Sequence, residues 1–331
     1  MTETPIQPCL DRPYEPLIAE LGLKGRIHWV LLRRVSIPIF RLFHSRGLGM
    51  ASRALSRVLG DETVTVRVLG RVYINVRLND PYWLWWVLNQ RLYEREFFPL
   101  LDHLRQYRCG FVDGGANIGW WSVMADRFFG WPCVAIEAGH DLLALMEANR
   151  RANAASFSIL HRILWRTDGE KLPFRFDPIR HSDGQVALEI AGRSSGNEEV
   201  GTVSLDTVVF DHLEAAGFHP DLIVVKLDLE GAEGVAIEGA VRALGSRDML
   251  LLYEDHGRDL ACSATAAMLA FGLQVYLFEN NGDLRLISDI PSARAAKPLL
   301  NHGYNFLAVN HRRLAADAVG NFIARRSRIA G

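Results

Sequence analysis

The chain has 331 residues, of which 49% are hydrophobic and 23% are charged, a composition typical of a globular protein with a sizeable core. This length accommodates one large domain with an extension, or two modest domains. The formal net charge is −1, which argues against bulk attraction to polyanions, so we expect no nucleic-acid partner.

The N-terminal segment and the cysteines predict a cytoplasmic protein. The first 16 residues are polar and contain no apolar signal core. Every apolar run is shorter than the roughly 18 residues that a membrane-spanning helix needs. Cys9, Cys109, Cys133 and Cys262 are not spaced as a metal site or a redox pair, so we expect reduced, buried thiols.

Residues 21–60 contain eight basic residues and no acidic one. Apolar residues lie between the charges, Trp29, Phe40 and Phe43 among them, and Pro38 predicts a division into two helical pieces. One interpretation is peripheral contact with an anionic membrane. The other is a helix pair that packs on the protein and buries Trp29. Residues 1–20 are expected to be poorly ordered.

Residues 63–78 alternate apolar and polar side chains around Gly70, which predicts a β-hairpin. Asp80 and Pro81 then have the residue types of a helix N-cap and first helical position. The aromatic residues that follow are spaced as the core face of that helix.

From residue 107 onward, strand, turn and helix patterns alternate, which predicts a doubly wound, mostly parallel sheet of seven strands with helices on both faces. Strands are expected at 109–113, 132–137, 156–164, 221–228, 248–254, 273–279 and 304–309. Helices are expected at 118–129, 142–152, 232–244 and 264–270. Residues 165–205 are less regular and are interpreted as an insertion with short strands.

A glycine-rich turn follows the first of these strands, with Asp113, Gly115, Asn117 and Gly119. Such a turn lets the backbone approach a nucleotide-like ligand, although dinucleotide-binding proteins use similar turns. The glycine spacing departs from GxGxxG, and the acid at its start is unfavourable beside a pyrophosphate. A cofactor with an ammonium and a sulfonium group suits the turn better.

Acidic residues also end the next strands of the predicted sheet. Glu137 ends the second strand, 24 residues after Asp113, where an acid can accept both hydroxyls of a ribose. Four charged residues lie between Lys226 and Glu233, and His256 follows a later strand. Because the carboxyl ends of parallel strands share one edge, these groups form a candidate acid–base set.

Together, these motifs resemble the FkbM family of methyltransferases over roughly residues 90–260. The resemblance is carried by Phe111–Gly119, Glu137, Leu205-Asp206, Lys226–Glu233, Gly239-Ala240, Glu254 and His256. It implies a class I methyltransferase fold and S-adenosylmethionine as cofactor, with O-methylation of sugars, polyketides or other natural products. It further implies that Asp113, Gly115, Asn117 and Glu137 hold the cofactor, and that Asp228, Glu230 and Glu233 lie at the active-site edge. Ala138 and the segment 163–166 depart from the family pattern.

The sequence therefore predicts an S-adenosylmethionine-dependent methyltransferase that modifies a hydroxyl of a glycan or another small molecule. Its cofactor residues are Asp113, Gly115, Asn117, Gly119 and Glu137, and its catalytic candidates are His256, Glu230 and Asp228. His256 and Glu230 are candidate bases, and Asp228 with Glu230 is a candidate pair of ligands for a divalent ion.

The predicted organisation is an N-terminal extension over 1–90, a catalytic domain over 91–311 and a C-terminal tail over 312–331. Two alternatives remain at this point. One is a nicotinamide-dependent oxidoreductase, and the other is a non-catalytic methyltransferase-like scaffold at a membrane.

Overall fold

The computed structural model describes residues 12–36, 48–175, 185–186 and 197–330. The chain divides into two compact units. The first consists mainly of the chain up to Glu94 together with Leu145–Ala155. The second consists mainly of Arg95–Ala144, Ser156–Phe176 and the chain from Asp183 onward.

In the described residues, the first unit contains a small antiparallel sheet, three complete helices and the larger part of a fourth, Leu145–Ala152. Its strands are β1 (Tyr14–Pro16), β2 (Thr63–Val68) and β3 (Val72–Arg77), and its helices are α1 (Leu23–Leu31), α2 (Leu48–Leu59) and α3 (Pro81–Asn89). Strands β2 and β3 confirm the predicted hairpin. The expectation of poor order was wrong for residues 12–20, because β1 pairs with β2 and Tyr14 is buried. Residues 1–11 lie outside the described part of the chain.

Helix α3 begins as the sequence predicts. The Asp80 carboxylate accepts hydrogen bonds from the backbone N–H groups of Tyr82 (3.0 Å) and Trp83 (3.3 Å), and Pro81 occupies the first helical position. These contacts satisfy N–H groups that a helix leaves without intrahelical partners. The start of α3 is thus set by local sequence.

Helix α1 is packed through one face and shows the other to solvent. Gly25, His28, Trp29 and Leu32 lie on the buried face, and Trp29 is only 2% exposed. The Trp29 side chain therefore does not insert into a membrane, because its ring is enclosed in protein. Pro38, Phe40 and Phe43 lie outside the described residues.

The second unit holds the remaining strands and most of the remaining helices. The strands are β4 (Cys109–Gly114), β5 (Cys133–Glu137), β6 (Ser158–His161), β7 (Ile163–Trp165), β8 (Lys171–Arg175), β9 (Gln185–Val186), β10 (Asn197–Ser204), β11 (Leu222–Leu227), β12 (Met249–His256), β13 (Gln274–Phe278), β14 (Leu284–Ile287) and β15 (Gly303–Val309). The helices that follow α3 in the chain are α4 (Phe98–Leu104), α5 (Trp120–Val123, continued by wider turns to Phe129), α6 (His140–Ala152), α7 (Leu205–Thr207, continued to Leu213), α8 (Glu233–Glu238), α9 (Val241–Ser246), α10 (Ser263–Ala270), α11 (Ile290–Ala295) and α12 (Arg313–Ala330).

The central sheet has the strand order β14-β13-β15-β12-β11-β4-β5-β6. Strands β6, β5, β4, β11 and β12 are parallel, whereas β15 runs antiparallel between β12 and β13. This confirms the doubly wound, mostly parallel sheet. It has eight strands rather than seven because β14, which was not predicted, pairs with β13. From β4 the chain adds β5 and β6 on one side and β11 and β12 on the other, so a topological switch point lies between β4 and β11.

A second sheet with the order β7-β10-β8-β9 confirms the predicted insertion with short strands. The prediction of one strand over 156–164 was wrong, because β6 joins the central sheet and β7 joins the second one. The chain changes sheet at Arg162, whose backbone N–H donates to the carbonyls of Glu137 (3.2 Å) and Leu160 (3.0 Å).

The single helix predicted over 232–244 was also wrong, since it is divided into α8 and α9 at Gly239. A Cβ at Gly239 would lie 2.4 Å from the Trp165 carbonyl oxygen, so the chain approaches β7 too closely for a side chain. The Asp206 carboxylate accepts hydrogen bonds from the N–H groups of Arg242 (3.0 Å) and Ala243 (2.7 Å) and thereby caps α9. The Leu205-Asp206 motif therefore has a structural role.

The core of the second unit forms around the central sheet. Strands β11 and β12 are buried over most of their length, as expected for strands covered on both faces. Cys109, Cys133 and Cys262 are free and buried, which confirms the expectation for these three thiols; Cys9 is not among the described residues. No helix in the described ranges is long and apolar enough to cross a membrane.

Candidate active site

The turn after β4 is built from residues with positive φ. Gly115 has φ +75°, Asn117 +52° and Gly119 +78°, and this left-handed region favours glycine and tolerates asparagine. A Cβ at Gly115 would lie 2.0 Å from the Asp228 carbonyl oxygen. Only glycine lets the turn after β4 approach the loop after β11 this closely, so the sequence brings the two loops together at the switch point.

Glu137, at the end of β5, connects that turn to the next loop. Its Oε2 accepts a hydrogen bond from the Asn117 N–H (2.7 Å), and its Oε1 accepts one from the Gly139 N–H (2.6 Å). Burial raises the pKa of Glu137 to about 7, against the lowering effect of these two N–H groups. Each oxygen has a further lone pair, so a ligand hydroxyl could share the carboxylate.

Asp113 lies inside β4 rather than on the exposed turn. It is 1% exposed, and its Oδ2 accepts a hydrogen bond from Ser122 Oγ at 2.6 Å. Burial raises the pKa of Asp113, and the nearby Lys226 ammonium opposes that rise. Asp113 therefore contributes a buried acidic group directly before the turn.

The position of Lys226 in β11 places it near the carboxylates of Asp113 and Asp228. It is opposite Asp113 in the register of β11 with β4, and its Nζ lies 2.9 Å from Asp228 Oδ2. Lys226 is therefore paired with a neighbouring carboxylate. The side chain of Lys226 is 4% exposed, whereas that of Asp228 is 21% exposed. The pair thus presents mainly its carboxylate to solvent.

Glu233 holds the loop that carries Glu230. Its Oε1 accepts hydrogen bonds from the N–H groups of Leu229 (2.8 Å) and Gly231 (3.4 Å), and burial raises its pKa to about 7. Glu230, which lies between these donors, is in a strained conformation with φ +51°. Glu233 is therefore a buried structural group, whereas Glu230, like Asp228, is a partly exposed carboxylate of this loop.

The end of β12 adds Glu254 and His256 to the same edge of the sheet. His256 Nε2 lies 3.8 Å from Glu254 Oε1, and their side chains are 49% and 28% exposed. A Cβ at Gly303 would overlap the Glu254 carboxylate, so glycine on the neighbouring strand β15 makes room for this side chain. Glu254 and His256 are thus both partly exposed at this edge.

Sequence reasoning missed Lys297, which fixes the loop after β12. Its Nζ contacts the Asp255 carboxylate and donates hydrogen bonds to the carbonyls of His256 (2.9 Å) and Asp259 (2.9 Å). The side chains of Lys297 and Asp255 are 2% and 1% exposed. No local pattern near residue 297 indicates this contact, which joins residues about 40 positions apart in the chain.

The segment 163–166, which departs from the family pattern, is mostly buried. Trp165 is only 1% exposed and belongs to a buried cluster with Ala138, Ile163 and Phe174. Ile163, Leu164 and Trp165 therefore form core at this position, whereas Arg166 is exposed. The same cluster accommodates Ala138, the residue directly after Glu137.

Within the described parts of the chain, no three His, Cys, Asp or Glu side chains are grouped as metal ligands. What the structure brings together at the carboxyl edge is the turn 113–119, Glu137, the loop 226–233 and the end of β12. This edge combines buried carboxylates of raised pKa with partly exposed ones. Chemically, it can accept hydrogen bonds from hydroxyls, attract a cation and take up a proton.

The strand order β6-β5-β4-β11-β12-β15-β13, with β15 reversed, decides the fold. It is the class I methyltransferase fold. Similar solved structures include a precorrin-6y C5,15-methyltransferase from Geobacter metallireducens (12% identity, 63% of this chain and 84% of that chain, TM-score 0.35).

Two further similar structures are O-methyltransferases. The one from Bacillus cereus in complex with SAH has 10% identity over 66% of this chain and 82% of its own, with a TM-score of 0.34. TomG from Streptomyces achromogenes, involved in tomaymycin synthesis and in complex with SAM, has 11% identity over 65% and 78%, with a TM-score of 0.34. No family model and no curated protein matches the chain.

Proposed function

We propose that this protein is an S-adenosylmethionine-dependent methyltransferase of the FkbM type that methylates a hydroxyl of a glycan or another small molecule. The observation that carries the proposal is Glu137, a buried carboxylate at the end of β5 that is tied to the glycine turn after β4. At the switch point of a doubly wound sheet, such an acid is suited to accept hydrogen bonds from ribose hydroxyls.

The charges at this edge fit S-adenosylmethionine better than a dinucleotide. Asp113, Glu137, Asp228 and Glu230 are acidic, and Lys226 is paired with Asp228. Carboxylates attract the ammonium and sulfonium groups of S-adenosylmethionine and oppose a pyrophosphate. This disfavours the nicotinamide-dependent alternative. Asp113, Gly115, Asn117, Gly119 and Glu137 are the residues assigned to the cofactor.

When bound, S-adenosylmethionine supplies an electrophilic methyl group. Glu230 and His256 are the candidates to accept the proton of the attacking hydroxyl, because both are partly exposed at the edge. Asp228 is held by Lys226, and the loop of Glu230 is held by Glu233. These contacts fix the carboxylates that would orient the acceptor.

Calorimetric titration with S-adenosylmethionine, its demethylated product and NAD tests the proposal. The parent protein should bind the first two and not NAD. Glu137→Ala should weaken cofactor binding by roughly 1–3 kcal/mol, because hydroxyl donors lose their acceptor. Glu198→Ala, which removes an exposed carboxylate on β10, is the matched control and should leave affinity unchanged.

Tight binding of NAD by the parent would overturn the proposal in favour of the oxidoreductase. If Glu137→Ala binds S-adenosylmethionine as tightly as the parent does, Glu137 is not a cofactor-binding residue. If the protein binds none of the three ligands, the non-catalytic scaffold becomes the better explanation.

A further inference from the structure

The solvent face of α1 carries an aliphatic stripe. Leu23, Ile27 and Val30 are 77%, 43% and 49% exposed. They are four and three residues apart, so they lie on one side of the helix. This side is opposite the face that buries His28 and Trp29. Exposed aliphatic side chains are common singly, but three aligned on one helix form a small apolar patch.

The orientation of this stripe is fixed by the N-terminus of α1. The Glu62 carboxylate accepts hydrogen bonds from the N–H groups of Gly25 (2.8 Å) and Gly22 (3.1 Å). A Cβ at Gly25 would lie 2.4 Å from Glu62, so glycine is what allows the carboxylate to cap the helix. Because α1 is capped at one end and packed through Trp29, the stripe cannot turn inward without breaking these contacts.

Basic side chains flank the stripe. Lys24, Arg33 and Arg34 are exposed, and the run 21–60 in which they lie contains no acidic residue. A helix with an aliphatic side and flanking cations is complementary to an anionic lipid surface, where apolar groups enter the headgroup boundary and cations remain at the phosphates. Three aliphatic side chains without an exposed aromatic are a poor match for a stable protein interface.

We propose that the face of α1 formed by Leu23, Ile27 and Val30, together with Lys24 and with Arg33 and Arg34 just after the helix, docks on an anionic phospholipid surface. Because Trp29 is buried, the apolar part of this membrane contact is formed by the three aliphatic side chains. Each flanking cation adds a modest attraction, so the attachment is reversible and salt-sensitive. It is independent of cofactor binding.

Co-sedimentation of the full chain with vesicles tests this. Vesicles of phosphatidylcholine alone are compared with vesicles in which about a third of the lipid is phosphatidylglycerol, at low and high salt. The protein should sediment with the anionic vesicles only, and less as salt rises. The double variant Leu23→Gln with Ile27→Gln should reduce the partition constant by about tenfold, as should Arg33→Gln with Arg34→Gln.

Leu286→Gln, at a 55% exposed leucine on β14, is the control and should sediment like the parent. All these side chains are exposed, so unchanged thermal unfolding is expected for every variant. Equal sedimentation with neutral and anionic vesicles, or parental binding by the Leu23/Ile27 variant, would overturn the proposal. The proposal would also be overturned if the parent protein bound no vesicles and instead self-associated, and the Leu23/Ile27 variant did not self-associate. A second copy of the chain would then be the partner that covers the stripe.

Discussion

Glu137 combines two properties that pull its pKa in opposite directions. Burial favours the neutral acid, whereas the N–H groups of Asn117 and Gly139 favour the carboxylate, and the balance raises the pKa to about 7. A ribose that donates hydroxyl hydrogen bonds would favour the carboxylate further. The protonation of Glu137 should therefore be coupled to cofactor binding.

The coupling predicts proton release. Below pH 7 the free protein holds a proton on Glu137, and binding expels it, so affinity should rise as pH increases through about 7 and then level off. Titration calorimetry at pH 6 in buffers of different ionisation enthalpy measures the protons released. The Glu137→Gln variant should release fewer. Identical proton release by parent and variant would show that another group is responsible.

Glu230 is one of the two residues proposed to accept the proton of the attacking hydroxyl, together with His256. Glu230→Gln keeps the shape and the positive-φ backbone and removes the base, so turnover should fall by roughly 10²–10⁴-fold while cofactor binding survives. The assay is methyl transfer to an accepted hydroxyl substrate, with Glu198→Gln as control. Parental turnover would make Glu230 structural, and the same assay with EDTA decides whether a divalent ion is required.

At the residue scale, sequence predicted those site residues that lie beside a strand end. Glu137, Lys226 and Glu230 follow from local pattern, because a strand end fixes which edge of the sheet a residue occupies. Lys297 could not be predicted, since its contact with Asp255 depends on how a loop distant in sequence returns to β12. The burial of Asp113 and Glu233, which separates them from the exposed carboxylates, is likewise a property of packing.

At the element scale, the turn after β4 is defined by its close approach to the loop after β11. Gly115→Ala places a Cβ 2.0 Å from the Asp228 carbonyl oxygen, whereas Gly130→Ala, at nearly the same φ (+76° against +75°), meets nothing within 4 Å. Both variants carry the cost of a left-handed alanine, about 1 kcal/mol. Gly115→Ala should lose a further 1–3 kcal/mol of unfolding free energy, roughly the cost of overpacking.

Urea unfolding of both variants measures this difference, and titration with S-adenosylmethionine shows whether the shifted loop still binds. We expect binding to fall in Gly115→Ala alone. Equal stability and equal binding in the two variants would mean that the turn can move away from β11 at no cost.

Most elements could be predicted from periodicity. The hairpin β2–β3 alternates cleanly, and β4, β5 and β11 are short apolar runs with turn residues at their ends. The elements that were missed or misplaced depend on tertiary contacts. Helices α8 and α9 divide where Gly239 meets β7, and the strand over 156–164 divides where Arg162 changes sheet. Strand β14 is short and exists through its pairing with β13.

At the scale of the whole molecule, charge is distributed unevenly. The net charge of −1 conceals a run of 40 residues with eight cations and no acid, in the unit that contains α1. The carboxylates of the candidate site lie in the other unit. Each unit thus has the charge suited to its own proposed ligand, which the total charge alone could not indicate.

The strand order of the central sheet also could not be predicted from local sequence patterns. The sequence indicates which segments are strands, but β15 pairs with β12 across about 50 intervening residues. The separation of β12 from β13 by β15 is a long-range property. It distinguishes this sheet from other doubly wound sheets built from the same kinds of strands.

The position of β15 has a consequence for synthesis on the ribosome. Strand β13 is made before β15, yet it cannot take its place in the sheet until β15 has been inserted beside β12. Until then the outer edge of β12 is left unpaired, and such an edge is prone to pair wrongly with another chain. The nascent protein therefore depends on β15, which is synthesised late, to pair with the edge of β12.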